Sequence, residues 1–129
     1  MTTLTSLIER IEAATKGSRE LDGDICLALG WTFQKMKGDS KPYYRRPGEV
    51  AYYLRSEPPA YSTSIDAARS IDPTALCVFA SDIGADGLPM VKVVSDTSTS
   101  PVIEHTGIAA TLELAWCAAT LRARQTEAA

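Results

Sequence analysis

Leu4, Leu7, Ile8 and Ile11 recur at helical spacing near the start of the chain, with Glu9, Arg10 and Glu12 opposite them. That pattern predicts an amphipathic helix over residues 4–15. Gly17 is placed to give it a left-handed stop, and Ser18 to cap a second helix directly afterwards. Leu21, Ile25, Ala28 and Leu29 form the inward stripe of that helix, which Gly30 ends. Trp31 to Lys37 then alternates loosely, and Glu49 to Arg55 is rich in aromatic and aliphatic residues. Two strands joined by an extended loop fit this stretch. Pro58 and Pro59 break the chain. Ser62 or Thr63 can cap a short helix holding Ile65, Ala67, Ala68 and Ile71, which Asp72-Pro73 closes.

Two apolar runs follow, Ala75 to Ala80 and Met90 to Val94, with Gly84, Asp86 and Gly87 between them. They predict a β-hairpin. Asp96 to Pro101 reads as a Ser/Thr-rich loop. A long helix is expected over about 107–124, with Ile108, Leu112, Ala115, Trp116, Ala119 and Arg122 on one stripe and Arg122 and Arg124 favouring the dipole at its end. The order is αα-ββ-α-ββ-α. Strand signals come in adjacent pairs and βαβ alternation is absent, so the chain predicts an α+β fold: an antiparallel sheet of three to five strands sandwiched by helices. With 129 residues and no long linker, a single domain over 1–129 is expected.

Composition narrows the setting. At 45% hydrophobic and 22% charged the chain is globular. Its formal net charge of −3 argues against duplex nucleic acid or an anionic membrane as partner. No apolar run approaches the roughly 20 residues of a membrane span. Met1 to Ile8 lacks the basic and apolar regions of a secretory signal. Cys26, Cys77 and Cys117 are odd in number and far apart in apolar contexts, so buried free thiols in a reducing cytoplasm are expected. Trp31, Trp116 and the alanines of the last helix offer close-packing surface beyond a small core, which predicts a homo-oligomer.

Catalytic chemistry finds little to work with. His105 is the only histidine, and no G-x-S-x-G or comparable nucleophile motif accompanies it, so a surface or capping role is expected. One histidine and scattered cysteines do not make a zinc set, and Gly84-Ala85-Asp86-Gly87 lacks the lysine of a phosphate loop. Glu20, Asp22 and Asp24 read as a solvated first turn that suits the helix dipole. No enzyme activity, metal or cofactor is expected.

Residues 32–55 stand apart. Lys35, Lys37, Lys41, Arg45, Arg46 and Arg55 face only Asp39 and Glu49, a net of +4, which leaves −7 for the rest of the chain. Phe33, Tyr43, Tyr44, Tyr52 and Tyr53 lie in the same segment, flanked by Trp31 and Tyr61. Guanidinium forks beside stackable rings suit an anionic, base-containing small molecule. Arg45 and Arg46 are the candidate phosphate ligands, in a turn bracketed by Pro42 and Pro47. Tyr43 and Tyr44 are the candidate stacking face, and Lys35, Lys37, Lys41 and Arg55 the supporting charge. The plainer alternative is a solvated hairpin whose tyrosines pack on the sheet and whose lysines guard an edge.

Five stretches carry a resemblance: Leu7 to Thr15, Ser18 to Asp22, Leu29 to Trp31, Pro59 to Ala68, and Ala115 to Ala119 with Leu121 to Arg124. Together they resemble the phage ABA sandwich domain, a family of small proteins from phages and prophages. The resemblance implies a helix-and-sheet sandwich in the cytoplasm of an infected or lysogenic bacterium. Lys35 to Glu57 is longer and more basic than that family leads one to expect. Phages carry small sponge proteins that sequester nucleotide signals of bacterial immunity, and by analogy a sponge is the concrete form of the binding reading. An accessory protein whose basic segment meets an acidic protein surface is the alternative.

Overall fold

The structure, a computed structural model, describes residues 3–34, 43–45, 60–72, 75–81, 83, 87–94 and 103–127, and along 32–34 and 43–45 it describes the backbone. Helix α1 (Leu4–Ala13) starts at Thr3, whose hydroxyl accepts the Ser6 N–H at 3.1 Å, and buries Leu7, Ile8 and Ile11. Helix α2 (Arg19–Ala28) starts at Ser18, which accepts the Leu21 N–H. It closes in a Schellman turn: Gly30 has φ 90°, its N–H donates to Leu27 O, and the Trp31 N–H donates to Cys26 O, each at 3.1 Å. Gly17 is not the left-handed stop that the sequence suggests. Among the described residues only Gly30 and Gly87 have positive φ, and α1 ends in extended backbone at Ala14. Gly17 is small for another reason: a Cβ there would lie 2.2 Å from the carbonyl oxygen of Ser62.

Strands β1 (Thr32–Gln34) and β2 (Tyr43–Arg45) form a two-stranded antiparallel sheet. Helix α3 (Ile65–Arg69) is capped by Ser64, not by Ser62 or Thr63. Then β3 (Leu76–Ser81), β4 (Met90–Val94) and β5 (Glu104–Ile108) make a second antiparallel sheet in the order β3-β4-β5, before helix α4 (Leu112–Glu127). The α+β class stands, with helices packed on an antiparallel sheet and every described pairing antiparallel.

The last third holds one strand more than the hydrophobic pattern shows. Glu104 to Ile108 reads as the approach to a helix because only His105, Gly107 and Ala109 turn inward, and none is a marked strand former. His105 is therefore a buried mid-strand residue opposite Val93, not a surface or capping one.

Helix α4 is buried nearly all round, with Leu114, Ala115, Cys117, Ala118, Ala119, Leu121 and Ala123 inaccessible and only Trp116 and Arg122 reaching out between them. A helix without a polar side belongs at the centre, and α4 packs on β4, β5, α1 and α3. Each large apolar side chain buried there, such as Leu7, Ile11, Val91 or Leu114, contributes roughly 1.5–3 kcal/mol. Glu12 of α1 ties this centre to the sheet. Its Oε2 accepts from Arg122 Nη1 at 2.7 Å and from the Ile108 N–H at 3.2 Å, while Arg122 also donates to Thr106 O.

Candidate functional site

The basic segment leaves the core at Trp31 and returns at Tyr61. Both aromatic residues are buried, at 7% and 3% exposure, so they anchor the segment and take no part in a stacking face. Helix α2 holds both roots. Trp31 is fixed by the Schellman turn at the end of that helix. On the returning side Asp22, from the first turn of α2, accepts the Ser62 N–H at 2.7 Å through Oδ1, and the Ser62 hydroxyl lies 2.7 Å from the same oxygen. Ser62 also lies 2.9 Å from Ser18 O and accepts the Ser18 N–H at 2.9 Å. Arg19 Nη1 reaches Asp22 Oδ2 at 2.8 Å, and Cys117 donates its thiol hydrogen to Tyr61 O at 2.9 Å. Trp31 and Ser62, on the two sides of the basic segment, are thus both tied to α2.

Asp22 overturns the expected solvated turn. It is fully buried, and its two oxygens serve the chain that re-enters the core. Ser62 beside it is buried at 1% exposure, so this serine–aspartate pair is closed to a substrate.

Of the eight candidate ligand residues, Tyr43, Tyr44 and Arg45 lie on β2 and not in a turn bracketed by prolines. Their register partners are Gln34, Phe33 and Thr32. Strand alternation places positions 43 and 45 on one face of this ladder and position 44 on the other. Lys35, Lys37, Lys41, Arg46 and Arg55 lie outside the described residues, as does the strand expected over Glu49 to Arg55.

A separate cavity of about 410 Å³ opens between α3, the start of β3 and α4, lined by Asp66, Arg69, Cys77 and Trp116 among others. Among its described lining residues one carboxylate, Asp66, balances one cation, Arg69, so these residues do not favour an anion. Cys77 is exposed, contrary to expectation, whereas Cys26 and Cys117 are buried. Burial pushes the Cys26 thiol up to about 12 and the Cys117 thiol well above its ordinary range, so both stay protonated and inert. Among the described residues no three His, Cys, Asp or Glu side chains gather as a metal site, and no helix is long and apolar enough to cross a membrane.

His105 gives the fold a pH dependence. Burial lowers its pKa from the ordinary 6.5, because the charged ring is disfavoured inside. The unfolded chain therefore takes up the proton first as pH falls. The neutral ring's contribution is complete above about pH 6.5 and is lost progressively below it. Melting temperatures measured from pH 7.5 down to 5 should fall for the parent and fall less for His105→Gln. Equal slopes would show that another group sets the dependence.

Compared with protein-family models, curated proteins and solved structures, the chain matches none.

Proposed function

We propose that this protein is a non-enzymatic binder of an anionic, nucleotide-like small molecule, held by the basic and aromatic segment. In the phage setting that the resemblance implies, it would act as a sponge for a nucleotide signal of anti-phage immunity. One observation carries the reading: a net of +4 is concentrated in residues 32–55 of an otherwise acidic chain, on an insertion whose two roots are pinned by α2. Localised positive charge draws in a compact anion, while the −7 elsewhere repels a long polyanion such as duplex DNA.

The test is a thermal-shift panel of cyclic and ADP-ribose-type nucleotides. A ligand at a hundred times its Kd stabilises by roughly 2.7 kcal/mol, a shift of several degrees. Each charge-assisted phosphate contact contributes roughly 1.5–3 kcal/mol, so Arg45→Ala with Arg46→Ala should weaken the best ligand at least 10-fold while leaving the unliganded melting temperature in place. The ligand should leave the heated protein unchanged on chromatography. Parent-like affinity in the double variant would remove these arginines from the site, and catalytic turnover of the ligand would make the protein an enzyme.

A second reading, an accessory phage protein with no small ligand, is favoured by the apolar strand β3, which suits a protein neighbour better than a nucleotide.

A further inference from the structure

The short ladder between β1 and β2 sorts the residues of the basic segment by face. Thr32 is in register with Arg45, Phe33 with Tyr44 and Gln34 with Tyr43. Residues directly opposite in an antiparallel pair share a face, and neighbours along a strand alternate. One face therefore carries Thr32, Gln34, Tyr43 and Arg45, and the other carries Phe33 and Tyr44. The first set is a hydroxyl, an amide, a phenol and a guanidinium. The second is a cross-strand pair of rings, a common stabilising unit of a sheet. Trp31 tells the two faces apart. It is buried and directly precedes β1, so period-two alternation sets Phe33 on its side of the strand and Thr32 and Gln34 on the other. A two-stranded sheet is marginal unless one face packs, and the pair on the Trp31 side has the rings for it.

We propose that the anionic ligand takes the polar face of this ladder and that its base is adenine, read by Gln34 and stacked on Tyr43, with its phosphate held by Arg45 and Thr32. This rests on the nucleotide reading above and narrows it to one face and one base. The four polar residues form two cross-strand pairs, Gln34 with Tyr43 and Thr32 with Arg45, so each end of the ladder has one task. Successive pairs on one face stand about 6.8 Å apart along the strand, the step that one ribose makes between a base and its phosphate. Arg45 brings the fork that suits a phosphate, and the hydroxyl of its register partner Thr32 adds a donor. Gln34 decides the base. Its amide offers a donor beside an acceptor, and adenine presents the complementary pair at N6 and N7. Guanine presents two acceptors at the same edge, one of which would meet the amide oxygen. A purine also gives Tyr43 more face to stack on than a pyrimidine does. Tyr44, on the other face, leaves the stacking set and serves the packing of the ladder.

Calorimetric titration of the full chain with adenosine monophosphate and guanosine monophosphate tests this. The adenine nucleotide should bind about 10-fold more tightly or better, and Gln34→Leu should erase the difference. Tyr43→Leu should weaken both nucleotides by roughly 10-fold or more. Tyr44→Leu should lower the melting temperature and leave both affinities of the folded protein as in the parent. A parent that does not favour adenine, or a preference that survives Gln34→Leu, would overturn the base assignment. Equal losses of affinity in Tyr43→Leu and Tyr44→Leu would overturn the face. In both cases the protein still binds a nucleotide, so the broader reading stands. It also stands, and this inference falls, if neither monophosphate binds while a larger nucleotide of the panel does. If no nucleotide binds at all, both fall together. Should Tyr44→Leu not fold, the adenine preference of the parent and its loss in Gln34→Leu decide.

Discussion

Gly107→Ala is expected to unfold the protein or to lower its stability by about 3 kcal/mol or more, at the upper end of what overpacking a core costs. Gly107 lies in β5 directly beneath α4. A Cβ there would stand 2.1 Å from the carbonyl oxygen of Ala115, 2.6 Å from the Ala119 nitrogen and 3.0 Å from the Ala118 Cβ. Two of these are backbone atoms of a helix packed against β4, β5, α1 and α3, so no side chain can swing aside to make room. The helix has to lift off the sheet, and the contacts around Leu114 and Leu121 go with it. Against a total stability of roughly 5–15 kcal/mol for an ordinary domain, such a loss is a large fraction of the whole. Gly23→Ala is the matched control. It sits in α2 with nothing within 4 Å of its added carbon, and removing a helix-interior glycine should stabilise by about 0.5–1 kcal/mol. Urea titrations of the two variants should shift the midpoint in opposite directions. A Gly107→Ala protein as stable as the parent would mean that α4 does not lie this close to the sheet.

Gly107 also shows where sequence reasoning stops. Periodic apolar positions announce α1, α2 and β4 almost to the residue, because Leu7, Ile8, Ile11, Leu21, Ile25, Val91 and Val93 combine local preference with burial. Strand β5 has no such signal: its inward positions are a histidine and a glycine, chosen by the closeness of α4 and not by strand propensity. Gly17 misleads in the same way, since its smallness serves a neighbour 45 residues further on rather than a helix stop. Charge segregation in 32–55 is plain in the sequence. What it cannot show is that Tyr43, Tyr44 and Arg45 lie on a strand paired with Thr32–Gln34, because pairing depends on partners distant along the chain. Asp22 did leave a trace. It falls at the spacing of Cys26 and Leu29 on the inward side of α2, and an acid on a buried stripe signals a partner to be found.

That partner makes Asp22→Ala the other substitution of large effect, with an expected loss of about 2–4 kcal/mol. Asp22 is fully buried and accepts the Ser62 N–H at 2.7 Å, so truncation strands that N–H where water does not reach and leaves a void beside it. The Ser62 hydroxyl keeps Ser18 as its partner. The Arg19 contact adds little to this figure. Its guanidinium is 47% exposed and returns to solvent when the carboxylate is gone. Ser62→Ala should lose less, since Asp22 keeps the Ser62 N–H and Arg19. Because the two residues share a network, the double variant should fall short of the sum by 1 kcal/mol or more, and strict additivity would show that they act independently. The damage should also be local in a particular way. Asp22 pins the chain where it re-enters the core, so hydrogen exchange at Ser62 and Ser64 should quicken in Asp22→Ala well beyond what global destabilisation explains, while Val91 and Val93 follow the global change. If the basic segment binds its ligand from this base, Asp22→Ala should also weaken the best nucleotide of the panel at temperatures where the variant is fully folded. Unaltered affinity there would mean that residues 32–59 form their site without the anchorage that α2 provides.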